Sequence, residues 1–169
     1  FMGEPKYPKP LMAPVSVKVQ KAKRFQPSEV SVELPFLLPH EYFVFLASEH
    51  PSTFASQFLG DVDGSGSKLE YFWRGVSSRR DPRLARHPMT SRADWLSHAV
   101  PLSLHGDAVP CVQVGKHATK SYDAISFQAL FAEGTSLAVK NLVFGIFEHS
   151  KGPSTMEDVW KVIVWSFDV

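Results

Sequence analysis

The chain has a single cysteine, Cys111, among its 169 residues. No disulfide framework can close within it, and a reducing compartment suits it. Apolar runs are short, none near the roughly 18 residues a membrane-spanning helix needs, and no signal-peptide pattern opens the chain. An intracellular location, nuclear or cytoplasmic, is therefore expected, with no membrane partner. Net charge is almost absent: 18 Lys and Arg stand against 17 Asp and Glu, giving +1. A nucleic-acid partner would have to be held by a local patch, because the charge of the whole chain supplies no attraction. Several catalytic signatures are missing as well, namely a nucleophile elbow, a dinucleotide glycine fingerprint and zinc-ligand spacing around Cys111. Gly115-Lys116 lacks the preceding glycine and the following Ser or Thr of a phosphate loop.

What is present is the composition of a folded protein, 44% hydrophobic and 12% aromatic. Residues 1–35 carry Pro5, Pro8, Pro10, Pro14, Pro27 and Pro35 beside Lys18, Lys21, Lys23 and Arg24. Proline at that density opposes helix, so an extended, solvated Pro/Lys-rich arm is expected. Within it, Val15, Val17 and Val19 alternate with polar residues and could pair as an edge strand. A helical region is expected over 36–98. Pro39 stands at a first helical turn ahead of Tyr42, Phe43, Phe45 and Leu46, and Pro51 breaks that helix. A second helix, Ser52–Leu59, should end at Gly60, and a third should run from Lys68 to about Ser78 with Leu69, Phe72, Trp73 and Val76 on one face. Ser91 and Asp94 suggest a short capped helix in SRADWLSHA.

Asp61, Asp63, Ser65 and Gly66 occupy the first, third, fifth and sixth positions of a calcium-loop pattern. The twelfth position, which must give a bidentate carboxylate, is Phe72, so a Gly/Ser turn leading into a helix is the expected structure. Beyond that helix, Arg74, Arg79, Arg80, Arg83, Arg86 and Arg92 are accompanied by few acids. Guanidinium forks match phosphate oxygens, so this segment could hold a nucleic-acid backbone. It could equally be a solvated, ion-paired surface. Lys116 and Lys120 add a second acid-free cluster.

The stretch 99–169 is expected to form three antiparallel strands and a helix. Val100, Leu102 and Leu104 alternate with Pro101, Ser103 and His105 up to Gly106, which places Asp107 at or just past the strand's end. There it could hold a hard cation such as magnesium, or simply turn the chain. Pro110 should end the segment. A second strand follows over Tyr122–Phe131, then a turn at Glu133-Gly134-Thr135 and a third strand over Leu137–His149, a run that could also be helical. Ser154 or Thr155 caps a final helix with the stripe Met156, Val159, Trp160, Ile163, Val164 and Phe167; Glu157 and Asp158 suit its N-terminal dipole. The opening FMGEPKYPKP without a leading methionine, and the end WSFDV inside an apolar helical pattern, suggest a fragment.

The order strand–strand–strand–helix with an acid on the first strand resembles the opening half of a ribonuclease-H-like core. PLSLHGDAVP, followed by a basic loop and SYDAISFQALF, is similar to the first-acid segment of cut-and-paste transposases with an acidic catalytic triad. The span from LLPHEYF to VIVWSFDV also resembles an uncharacterised, highly multiplied dinoflagellate family. The transposase resemblance implies that Asp107 is the first metal-binding and catalytic acid of a two-magnesium phosphodiester chemistry. Ala108 departs from the usual glycine of that pattern, and the second and third acids have no counterparts in this chain. The expectation is thus an α+β fold with a partial ribonuclease-H-like core, in a transposase-derived nucleic-acid-binding fragment that is inactive as it stands. Arg74, Arg79, Arg80, Arg83, Arg86, Lys116 and Lys120 would contact the nucleic acid. A non-catalytic interaction domain on the same scaffold is the alternative, and nothing in the sequence sets an oligomeric state.

Overall fold

Apolar Ala13, Val15 and Val17 alternate with Pro14, Ser16 and Lys18, a period of two that builds a strand with one buried face. In the computed structural model, which describes residues 7–19, 28–60, 67–114 and 118–169, this segment is strand β1 (Leu11–Val19). It pairs antiparallel with β2 (Ser28–Phe36), Leu11 opposite Phe36 and Val19 opposite Ser28. Val15 stands opposite Val32 and Ala13 opposite Leu34, so apolar partners share a face. Both strands are edges of a two-stranded sheet, where Pro14 and Pro35 cost little ladder bonding. The expected solvated arm is thereby corrected: proline discouraged helix as anticipated, but Val15 is fully buried and the segment belongs to the core.

Helices fill much of the chain from 39 to 98: α1 (Pro39–Glu49), α2 (Pro51–Phe54), α3 (Ser67–Ser78), α4 (Pro82–Ala85) and α5 (Trp95–His98). Because β1 and β2 precede them, this helical stretch is not N-terminal. Pro51 ends α1 and begins α2, which continues as one π-helical turn, Ala55–Leu59. Gly60 closes that turn at φ 68, and a Cβ there would meet the Phe131 Cβ at 2.7 Å. The position therefore requires glycine for both its backbone angle and its close approach.

The second sheet has the order β3 (Leu102–Val114), β4 (Ala118–Ala129) and β5 (Asn141–Phe147), with β4 and β5 antiparallel. A short helix α6 (Ser136–Val139) precedes β5, and α7 (Thr155–Asp168) follows it after a 3₁₀ turn. The first strand does not stop at Gly106 or Pro110 but continues to Val114. Gly106 does not adopt positive φ, and Pro110 is accommodated because β3 is an edge strand. The third strand is shorter than Leu137–His149, because 136–139 is helical.

The chain divides into two compact units that cut across the expected divisions 1–35, 36–98 and 99–169. The first comprises Phe1–Phe45, Leu104–Phe127 and Asn141–Val169; the second comprises Leu46–Ser103 and Gln128–Lys140. The core of the first joins Val15, Phe36, Phe127, Val143, Phe144, Val159 and Ile163. Phe36 stacks on Phe144 at 4.5 Å between ring centroids, and Phe127 takes the ring of Phe43 at 5.9 Å. In the second unit Leu69 and Phe58 are fully buried. There Phe72 meets Phe131 edge-on at 5.3 Å, Trp73 lies 5.5 Å from Trp95, and the Trp73 indole N–H donates to the Ala99 carbonyl at 2.6 Å.

Candidate nucleic-acid interface

The arginine segment lies in the second unit, starting on α3. That helix buries Leu69 and half-buries Phe72, Trp73 and Val76, the apolar stripe expected from their spacing. Its opposite side carries Tyr71, Arg74, Gly75 and Ser78, all exposed. After Ser78 the chain turns through Arg79 and Arg80, whose amide N–H groups donate to the Val76 and Ser77 carbonyls at 3.0 Å each. Asp81 then caps α4, accepting from the Arg83 amide at 2.9 Å.

The arginines fall into two groups. Arg74 pairs with Glu70 one helical turn before it. Arg83 grips Asp81 through Nε at 3.1 Å and Nη2 at 2.7 Å. These bonds hold the Asp81 carboxyl well below its usual range, at about 2, and push the Arg83 guanidinium higher still. Arg92 is 3.4 Å from Asp94, whose carboxyl is lowered first by that hydrogen bond. Arg79, Arg80 and Arg86 form the second group. All three are exposed, and none has a carboxylate partner among the described residues. Unpaired guanidinium groups keep their donors available to an incoming phosphate.

Arg80 also has φ 53, the only positive φ outside glycine among the described residues. A residue in that conformation just past a helix end is usually glycine, because a Cβ there costs roughly 1–2 kcal/mol. Gly75 shows the converse. It sits inside α3, where alanine would be favoured by roughly 0.5–1 kcal/mol, and a Cβ built on it meets nothing within 4 Å. Where local preference is overridden without a packing reason, a functional site is the first candidate.

Asp107 belongs to the first unit, within β3 and exposed, rather than at the strand's end as expected. Strand alternation sets His105 on its face, two residues before it. Among the described residues, no group of three or more His, Cys, Asp or Glu side chains could hold a metal ion. One carboxylate beside one imidazole does not fit a two-magnesium centre, so no cleavage step is derived from it. Lys116 and the side chain of Lys120 lie outside the described residues, as does Asp61–Gly66 of the calcium-loop pattern. Its twelfth residue, Phe72, is packed against Phe131 and Trp73. No helix among the described residues is long and apolar enough to cross a membrane.

The sequence reading missed Tyr71 and Gly75. A usable signal was nevertheless present: both fall outside the stripe Leu69, Phe72, Trp73 and Val76, where a tyrosine and a glycine have no core to serve. The chain matches no protein family, no curated protein and no solved structure.

Proposed function

We propose that this chain binds nucleic acid, with the arginine segment of its second unit as the contact surface for phosphates. The observation that carries this is the set of three exposed arginines, Arg79, Arg80 and Arg86, without a carboxylate among the described residues although Arg74, Arg83 and Arg92 each have one. Between 74 and 94 there are six arginines and two acids, Asp81 and Asp94, a local excess of four positive charges in a chain of net charge +1. Descent from a ribonuclease-H-like transposase is part of the same proposal. It is supported by the three-stranded sheet followed by α7, with Asp107 on the first strand. Asp107 has too few partner acids for a cleavage step, so binding is the activity proposed.

Fluorescence anisotropy with labelled DNA over a series of salt concentrations tests this. Affinity should fall steeply with salt, and the combined variant Arg79→Ala/Arg80→Ala/Arg86→Ala should flatten the slope of log K against log salt by about 0.7–0.9 for each phosphate contact removed. Binding that ignores salt, or that survives the triple variant unchanged, would remove the proposal.

A further inference from the structure

A helix surface that meets only phosphates has no use for an uncovered aromatic ring, yet Tyr71 is 84% exposed on the outward side of α3. Open space flanks it on both sides. One groove of about 420 Å³ is lined by Ser67, Lys68, Tyr71, Phe72 and Phe131. The other, about 530 Å³, is lined by Tyr71, Phe72, Arg74, Gly75, Val76 and Arg79. Helical side chains lean toward the N-terminus, so a ring at one position is ordinarily covered by the side chain four residues later. Here that residue is Gly75, which has no side chain, and a Cβ on it would stand in open space. The ring is therefore left bare on the side where Arg79, which has no carboxylate among the described residues, brings positive charge, with Arg74 held by Glu70.

We propose that Tyr71 is a stacking platform for an unpaired base, and that the nucleic acid this surface prefers is single-stranded. The inference rests on the phosphate-binding role proposed above for the arginines, and it adds what lies between the phosphates. In a duplex the base faces are already stacked on one another, so a ring projecting from a helix has no face to take. In a single strand each base offers a free π-face, and an aromatic platform next to cationic side chains accepts it with little regard to sequence. Arg79 in the second groove, with Arg80 and Arg86 further along the chain, favours a polyanion, and the bare ring selects a strand with accessible bases. Arg79 then serves a phosphate adjoining the stacked nucleotide.

The test compares oligothymidylate with the duplex it forms with oligoadenylate, using the full chain and anisotropy at one salt concentration. The single strand should bind more tightly. Tyr71→Ala should weaken it about thirtyfold, the middle of the range for losing one base–aromatic stack, while Tyr71→Phe should retain it and duplex binding should change little. Gly75→Leu gives an independent check. Leucine is the better helix former, so the fold is kept, but its side chain would cover the ring and single-strand affinity should fall as with Tyr71→Ala. If Tyr71→Ala and Gly75→Leu leave single-strand affinity unchanged while the triple arginine variant lowers it, the stacking role is overturned and the phosphate surface stands. If neither nucleic acid binds, the phosphate surface itself is wrong and the platform falls with it.

Discussion

The two units treat their polar side chains differently. In the first, hydrogen bonds join residues more than a hundred positions apart. The Ser16 amide donates to Asp158 Oδ2 at 3.0 Å, and Ser154 donates through its amide and hydroxyl to the two Glu29 oxygens at 2.9 and 3.0 Å. Thr155 donates to the Ser16 carbonyl, and His40 Nδ1 lies 3.0 Å from Ser166 Oγ. In the second unit the ion pairs of the arginine segment join near neighbours, Glu70 with Arg74, Asp81 with Arg83, and Arg92 with Asp94. Polar groups in the first unit thus fasten α7 to β1 and to the start of β2. In the second unit Lys68 reaches Glu133 and the Gln57 amide donates to the Ala138 carbonyl, but the ion pairs of the arginine segment settle only local geometry, and three arginines are left over among the described residues. A surface whose charges hold no distant element in place is free to hold something else.

The contrast can be broken most forcefully at Phe127. Its ring is buried in the first unit and meets Tyr42, Phe43 and Phe167. Phe127→Ala should cost about 3–5 kcal/mol, read by urea denaturation, with faster amide exchange in β4, β5 and α7. Gly145 comes next. Tyr122 opposes Phe147 across the β4–β5 ladder, and its ring lies over Gly145, the neighbour diagonally across, so that a Cβ there would collide with it. Glycine shielded by a cross-strand aromatic is a known way to keep a sheet tight. Gly145→Ala forces the ring aside and should destabilise the protein by about 1–3 kcal/mol, a loss that Tyr122→Ala in the same chain should partly cancel in a double-mutant cycle.

How far the sequence revealed this architecture depends on the reach of each signal. Helix α3, the break at Pro51 and the stop at Gly60 were legible, because breakers and apolar spacing act within a few residues. Helix α7 also begins after Ser154, but the expected hydroxyl cap is not made, since the Ser154 hydroxyl donates to Glu29 and that of Thr155 to the Ser16 carbonyl. The burial of β1 was not legible. Its proline content argued for an exposed arm, and only pairing with β2 and packing against α7 make Val15 core. The continuation of β3 past Gly106 was missed for a similar reason: a ladder with β4 outweighed the local break that glycine and proline suggest. As to the site, the surplus of arginine could be counted from the sequence. Which arginines are spare could not, since that depends on where Glu70, Asp81 and Asp94 point.

Asp158 gives a smaller effect with a defined pH dependence. Hydrogen bonding from Ser16 holds its carboxyl below the ordinary range, with Lys161 assisting and burial opposing. A depressed pKa in the folded state means that the stabilisation is complete above the unfolded value of about 3.9 and is lost as pH falls through the lower folded value. Asp158→Asn should therefore cost about 1 kcal/mol near neutral pH, and the gap between the two proteins should close in strong acid. No gap at neutral pH would show that Ser16 needs only an oxygen acceptor, and a gap that persisted in strong acid would show that the cost of asparagine does not come from the lost charge.

The smallest effects lie at the end of α3, and their sign is the informative part. In the first unit the Tyr122 ring occupies the space above Gly145; in the second, Gly75 has open space where a side chain could go. Gly75→Ala should stabilise the protein by about 0.5–1 kcal/mol, measured by the shift in its urea midpoint. Arg80 is the complementary case. Its left-handed backbone at φ 53 favours glycine, so Arg80→Gly should also stabilise, by about 1 kcal/mol. Folding alone would thus favour a side chain at 75 and none at 80, the reverse of what the chain carries. If Arg80→Gly raised stability and lowered DNA affinity together, that exchange of places would have its explanation in binding. If stability fell in both variants, α3 would owe these residues to its own packing, and the contrast between the two units would lose its sharpest support.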